Sequence, residues 1–458
     1  MKAAETIFAL ATPPGRSAIA IIRISGPLAS MAPILFEART PPAGQFLVQR
    51  LQHQGAMVDE ALLLFMQGPH SSTGEDVCEF HCHGSQAVVD IILGQLGATD
   101  GFRMALPGEF SRRSFLNGKM DLSAVEGLAD LIDSQTPAQL HQAWAQIDGA
   151  LRAPVMAWRG ALIEISAKLE AVIDFSDEDL PDDLYAALVE ETERLVAALA
   201  GGLDDGGVGE IVREGVKIAL IGPVNAGKST LLNAMAGRAA AIVSDEEGTT
   251  RDVIQVHLDL DGVPATVFDT AGIRSNSGDV EAEGIRRAVQ LGQSAHLGLI
   301  ILDQSVDAWP NQMSAMVDLV MGDRILVFNK ADQQAAIADQ RVVAAARARQ
   351  LGFEEDDILY ISAHDKADIN HLLATISKRL VPHNHAETSV LITRARHRDA
   401  MQSAYEALCR ALTHDLNQAP ELAAEDYRLA ATALGRITGE INVEELLGQI
   451  FSAFCIGK

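Results

Sequence analysis

The residues best suited to chemistry cluster in "GPVNAGKS", Gly222 to Ser229, which fits the pattern G-x-x-x-x-G-K-[ST]. Glycines at that spacing let backbone N–H groups curl around the β- and γ-phosphates of a nucleotide. Lys228 adds positive charge, and the Ser229 hydroxyl is a ligand for Mg²⁺. The stretch follows the apolar run "VKIALI" and opens into "STLLNAM", the strand–loop–helix setting that gives the pattern meaning. Three further motifs follow. In "DTAG" (Asp269, Thr270, Ala271, Gly272), Asp269 ends a strand and can hold Mg²⁺ through water, while the Gly272 N–H meets a γ-phosphate. In "NKAD" (Asn329, Lys330, Ala331, Asp332), the Asp332 carboxylate suits the N1–H and 2-amino donors of guanine, which adenine lacks. "GTTRD" offers Thr250 as a second Mg²⁺ ligand in a switch loop, and "SAH" (Ser362, Ala363, His364) backs the base. Together they select GTP over ATP.

One position departs from the Ras-like pattern. Ras-type enzymes place a water-orienting Gln directly after DTAG, whereas Ile273 stands here and cannot hydrogen-bond a nucleophilic water. Another group must take that role. The switch segment "IRSNSGDVEAEGIRRA" offers Glu281, Glu283 and several arginines, and spacing alone does not separate them from ordinary solvated helix charges.

The elements that position these residues divide the chain of 458 residues into several domains. From residue 1 to 118, short β-rich runs such as "AIAIIRIS", "ALLLFM" and "VCEFHCH", with a helix at "SQAVVDIILGQL", predict an α+β domain. From 119 to 210 apolar residues recur at helical spacing, as in "VMAWRGALIEISAKLEAVIDF", until "GGLDDGGVGE" (Gly201 to Glu210) reads as a flexible linker. From 211 to 379 strands and helices alternate, which predicts a doubly wound α/β domain. Residues 380 to 458 return to helical periodicity, so the α/β domain reads as inserted into a helical one.

Composition narrows the class. Hydrophobic residues make up 48% and charged residues 21%, and no apolar run approaches the ~18 to 20 residues of a membrane span. Pro13 and Pro14 come too early for a signal-peptide core, and four cysteines in so long a chain point to a reducing cytoplasm. The net charge of −26 opposes tight unaided binding to nucleic acid. A membrane-remodelling GTPase would need a basic amphipathic segment, and none is evident.

The stretches "ATPPGRSAIAIIRISGP", "GEDVCEFHCHG", "LPGEFSRRSFLNGKMDLSAVEGLADLI", "NAGKSTLLN", "GTTRD", "DTAGIR" and the terminal "CIGK" resemble the MnmE (TrmE) family of tRNA-modifying GTPases over nearly the whole length. The N-terminal stretches and the C-x-G-K ending are its specific marks. The resemblance implies a tetrahydrofolate-binding-like N-terminal domain that also dimerises, a helical domain, and an inserted Ras-like P-loop GTPase domain. It implies a homodimer that joins an FAD-dependent MnmG-type subunit in a heterotetramer. The pair would modify C5 of the wobble uridine of certain tRNAs with an aminomethyl-type group, using 5-formyl- or 5,10-methylene-tetrahydrofolate. FAD would enter only through the partner, which would also supply most of the tRNA grip. A ribosome-assembly GTPase switch is the rival reading, and tetrahydrofolate affinity separates the two.

Residue by residue, the resemblance implies nucleotide contacts from Asn225, Ala226, Gly227, Lys228, Ser229 and Thr230, and from Ser244, Asp245, Glu246, Glu247, Gly248, Thr249 and Thr250. The DTAG, NKAD and SAH residues complete that set. A K⁺ site falls on Asn225, Ser244, Glu246 and Thr249, and Glu281 becomes the residue that orients water. Without the family, Asn225 reads equally as a turn residue. Two segments depart from many members: "GPVNAGKS" lacks an Arg-Pro after its first glycine, and "SNSGDVEAEG" diverges around Glu281. Folate contacts fall on Arg23, Glu79, Lys119 and Lys458. Alternation in "VCEFHCHG" sets Cys78, Phe80 and Cys82 against Glu79, His81 and His83. That second face has groups that can bind zinc, yet an ordinary half-exposed strand shows the same alternation, and the reading preferred is Glu79 as the partner of a 2-amino-4-oxo heterocycle. Cys455 in "CIGK" is not in a prenylation box, and as nucleophile, redox thiol or positioned side chain it would stand near the folate carbon.

Overall fold

Period-two runs near the N-terminus close into one six-stranded sheet in the computed structural model, which describes residues 5–174, 184–204, 207–238, 254–269, 293, 295–303, 309–317, 319–333, 338–381, 392–416, 418–440, 447, 450, 451, 454 and 457. The chain divides into two compact units. The first comprises Met1–Ala129, Ala145–Val196 and Ala400–Lys458, and the second Asp130–Trp144 and Ala197–Asp399. Among the described residues, no helix is long and apolar enough to cross a membrane.

In the first unit, β1 (Thr6–Leu10), β2 (Ser17–Ser25), β3 (Gln45–His53), β4 (Ala56–Met66), β5 (Val77–Gly84) and β6 (Phe102–Met104) run in the order β3-β4-β5-β2-β1-β6. All neighbours are antiparallel except β1 and β6. One face packs Ile22, Ile24, Leu63 and Phe80 against Val89, Ile92 and Leu96 of the helix Gln86–Gly97. Cys78, Phe80 and Cys82 all enter this core, as strict alternation requires. The helices of this unit follow the same economy with a different period. In Arg152–Asp174 the buried residues are Val155, Leu162, Ile165 and Leu169, and in Pro420–Thr438 they include Ala423, Tyr427, Ala430 and Leu434. The two helices lie side by side, and the buried Tyr427 hydroxyl is satisfied at 2.9 Å by Thr192 Oγ1.

An ionic chain that no periodicity announces fixes the helix Glu109–Leu116 to the sheet. Arg103 donates Nη1 and Nη2 to Glu109 at 2.8 and 2.6 Å and Nε to Glu5 at 2.6 Å. Arg113 bridges Glu109 and Glu75, and Ser25 Oγ donates to Glu75. Burial alone would raise the Glu109 carboxyl. The hydrogen bonds from Arg103 and the Leu106 N–H, with the charges of Arg103 and Arg113, outweigh it and hold the group down at about 2.

In the second unit, β7 (Val216–Ile221), β8 (Ile254–Leu260), β9 (Val263–Asp269), β10 (Leu297–Asp303), β11 (Asp323–Asn329) and β12 (Ile358–Tyr360) form a sheet in the order β12-β11-β10-β7-β9-β8. Only the β8–β9 pair is antiparallel. β7 lies between β9 and β10, so the loop leaving its carboxyl end sits at the point where the strand order reverses, where this class of sheet binds ligands. This is an inserted Ras-like α/β domain, its main segment falling in sequence between parts of the first unit.

The glycine-rich stretch expected as a linker is mostly helical. The helix Leu184–Leu203 runs through Gly201 and Gly202, and a second helix, Val208–Glu214, begins five residues further on. In the second of these helices Val208 and Val212, one helical turn apart, enter the core of the second sheet with Ile211 beside them, and that burial outweighs the weak propensity of Gly209. Asp130–Trp144 also packs within this unit: Thr136 Oγ1 donates to Gly262 O at 2.7 Å, and Asp130 Oδ1 accepts from Arg213 and Arg394.

Glu109 titrates lower when folded than its ordinary 4.5, so its stabilisation is present above that pH and is lost as pH falls toward about 2. Glu109→Gln should lower the melting temperature at neutral pH, by the equivalent of about 1–3 kcal/mol. The gap to wild type should narrow as pH falls through that window. A gap independent of pH would refute the assignment.

Candidate functional site

The loop between β7 and the helix Lys228–Ala236 is shaped by two close approaches. A Cβ on Gly222 would collide with the Ile301 carbonyl of β10, and one on Gly227 would collide with the Asn329 side-chain nitrogen. Gly227 also has φ +93°, and Asn225 has φ 65°, a left-handed conformation that Asn tolerates better than most residues. Lys228 is buried and donates Nζ to Gly222 O at 2.7 Å and Pro223 O at 2.8 Å, so its ammonium lies across the loop. The Ser229 hydroxyl donates to Asp269 Oδ2 at 2.6 Å. Asp269 is fully buried at the end of β9. A serine oxygen beside a buried carboxylate is a hard-oxygen donor set of the kind Mg²⁺ prefers, so these residues fit that ion.

The base side is built around Asn329. Its Nδ2 donates to Ala226 O at 2.9 Å, and its Oδ1 accepts from the Ala363 N–H at 3.1 Å. One buried amide therefore ties the end of β11 to the phosphate loop and to the Ser362–His364 turn. That turn is held in turn by Asp368, which accepts from the Ser362 N–H at 2.7 Å, while the Ala331 N–H donates to Ile361 O. Asp332 stays exposed, with its carboxylate open to a base. Sequence reasoning missed Asp303. It ends β10 and accepts from Lys330 Nζ at 2.7 Å, fixing the lysine of the same motif; its signal was an acid closing an otherwise apolar strand. Thr230 opens the helix beside Ser229. The segment from Ser244 to Thr250, with Asp245, Glu246, Glu247, Gly248 and Thr249, lies outside the described residues, as do Thr270, Ala271, Gly272 and Glu281.

Of the predicted folate residues, the structure brings Arg23 and Glu79 together. They are register partners across β2 and β5, and Arg23 Nε donates to Glu79 Oε1 at 2.7 Å. Arg23 also lies over the Phe110 ring at 5.8 Å and reaches the tail, with Nη1 3.4 Å from Gly457 O. A Cβ on Gly457 would collide with the Leu10 carbonyl, which gives the glycine of the C-x-G-K ending its reason. Lys119 donates to Pro69 O at 2.9 Å, and among the described residues no hydrogen bond joins it to the Arg23–Glu79 pair. Cys455 and Lys458 lie outside the described residues.

His81 bonds to Glu79 at 3.0 Å and His83 to Asp59 at 2.7 Å. Among the described residues no three His, Cys, Asp or Glu groups converge on a metal position. Burial pushes the Cys78 thiol up and, with the Asp59 charge, the Cys82 thiol up to about 11 against the pull of a backbone hydrogen bond, so both are inert core thiols.

Residues 6–119 match the family model described as GTP-binding protein TrmE N-terminus, and residues 122–455 match the MnmE helical domain. A tRNA modification GTPase MnmE of Parvibaculum lavamentivorans is 44% identical over 458 residues, covering 99% of this chain and all of that one. The protein of the same name from Caulobacter vibrioides is also 44% identical over 458 residues, with the same coverage. That from Paramagnetospirillum magneticum is 42% identical over 456 residues.

Replacing Asn329 by Ala strands the Ala226 carbonyl and the Ala363 N–H, each at a cost of about 1–3 kcal/mol. Titration with a fluorescent guanine nucleotide should then show affinity reduced at least about tenfold. Unchanged affinity would show that the amide bridge does not organise the site.

Proposed function

The chain belongs to the MnmE family of tRNA modification GTPases and is a GTP hydrolase, and from that premise we propose the finer chemistry. With an FAD-dependent MnmG-type partner, it modifies C5 of the wobble uridine of certain tRNAs, drawing on a one-carbon tetrahydrofolate. Its GTPase is K⁺-dependent, and it works in the cytoplasm as a homodimer within a heterotetramer. The partner carries most of the tRNA contact, a division that suits a chain of net charge −26.

The observation that carries the nucleotide half is the Asn329 bridge beside an exposed Asp332. Asp332 reads the two adjacent donors of guanine. Lys228 and the N–H groups that open its helix hold the β- and γ-phosphates. Ser229 and Thr250 would hold Mg²⁺, with Asp269 helping through water, and Asn225, Ser244, Glu246 and Thr249 would hold K⁺. When bound, these ions neutralise charge developing on the phosphate oxygens, a role that an arginine finger plays elsewhere. Glu281 orients the hydrolytic water that Ile273 cannot hold. Thr230, Asp245, Glu247 and Gly248, with Thr270, Ala271 and Gly272, complete the contacts.

The folate half is supported by a carboxylate, Glu79, that is buried and already held by Arg23 on the face of the sheet opposite the Cys78, Phe80 and Cys82 core. Such a carboxylate pairs with the N3–H and 2-amino donors of a pterin. Lys119 and Lys458 complete the folate contacts, and Cys455 serves as nucleophile, redox thiol or positioned side chain near the reacting carbon.

Asp332→Asn should weaken GTP binding and improve xanthosine triphosphate, read by competition for the fluorescent nucleotide; no change in preference would refute the base contact. Glu281→Ala should keep GTP affinity while losing most turnover. Turnover should also slow when Na⁺ replaces K⁺. Phosphate-release assays showing equal rates for the variant, or in both salts, would overturn the respective assignments. Calorimetry with 5-formyltetrahydrofolate tests the folate half, and absence of binding would leave the ribosome-switch reading ahead.

A further inference from the structure

Arginine usually grips a carboxylate with two parallel N–H groups. Arg23 does not do so here. Only its Nε reaches Glu79, at Oε1, while Nη1 is directed to Gly457 O. The second oxygen, Oε2, is bonded instead by His81 Nε2 at 3.0 Å. His81 lies two residues further along β5, hence on the same face. The register partners flanking this pair are apolar: Leu62 and Leu64 on β4, and Ile21 on β2 opposite His81. Among the described residues, His81 is therefore the one donor to Glu79 Oε2. The terminal torsion of a glutamate is broad and soft, and a single bond from Arg23 would leave the carboxylate plane free to turn. Donors from two strand positions fix it and leave each oxygen a further lone pair.

Resting on the folate reading, we propose that His81 is a positioning residue that sets the plane of Glu79 and thereby makes the site selective for a heterocycle with two adjacent donors, the 2-amino-4-oxo edge of a pterin. The selectivity resides in geometry. With the plane fixed, both carboxylate oxygens meet the N3–H and 2-amino groups at once, whereas a 2-oxo analogue turns an acceptor toward Oε2. With the plane free, the carboxylate turns to satisfy either ligand with one bond, and the discrimination falls.

The test uses the full chain, with calorimetric affinities for 5-formyltetrahydrofolate and competition by a simple pterin and its 2-oxo analogue. Wild type should bind the folate and prefer the 2-amino competitor. His81→Phe should bind the folate about tenfold more weakly and lose most of that preference. His81→Gln, which keeps an N–H donor, should restore the preference in large part. If His81→Phe lowers the melting temperature sharply, His81→Ala is read in its place. Wild type that binds folate, with a His81→Phe variant of equal affinity and preference, overturns the inference alone. So does a variant that loses affinity for both competitors equally, because a purely structural role predicts that. Wild type that binds no folate overturns both this inference and the folate reading.

Discussion

The amide of Asn329 donates to the phosphate loop and accepts from the turn behind the base, and each group it satisfies is backbone. Its position is unforgiving: the closest neighbour of a Cβ on Gly227 would be that same side-chain nitrogen. Asn at the end of β11 and Gly at the end of the phosphate loop are thus one constraint. The apolar strands β7, β10 and β11, buried on both faces in the manner of parallel sheets, bring the two loops near enough to share one side chain. Lys330 and Asp303 extend the arrangement by joining the ends of β11 and β10.

A similar logic governs the first unit, with charge replacing amide. Arg23 joins β2 to β5 through Glu79 and touches the chain terminus through Gly457 O, while Arg103, Glu109, Arg113 and Glu75 bind the helix Glu109–Leu116 to the strands. Half-buried ion pairs contribute little net stability, but removal of one partner is costly, so they specify geometry more than they strengthen it. That property suits a face whose carboxylate must present fixed lone pairs.

Much of this architecture was legible in residue order. Alternation in "VCEFHCHG" identified which side chains enter the first core, and the strand-ending motifs fell at the ends of β7, β9 and β11 because a buried parallel strand leaves an unmistakable apolar run. What stayed hidden depends on partners distant in sequence. Nothing local marks Glu109 as the acceptor of two arginines, Asp303 as the partner of Lys330, or Gly457 as packed on Leu10. The stretch around Gly201 misled for the opposite reason. Its composition is that of a linker, yet Val208 and Val212 find a core one helical turn apart, and tertiary burial overrides weak helix propensity.

On the proposed reading, a guanine-nucleotide site and a one-carbon folate site on one chain serve a single modification of tRNA. The most direct measurement is nucleoside analysis by mass spectrometry of tRNA from cells lacking this protein, with and without restoration of the wild-type chain. The account predicts wobble uridines unmodified at C5 in the deletion and modified again on restoration. An unchanged nucleoside profile in the deletion would contradict it.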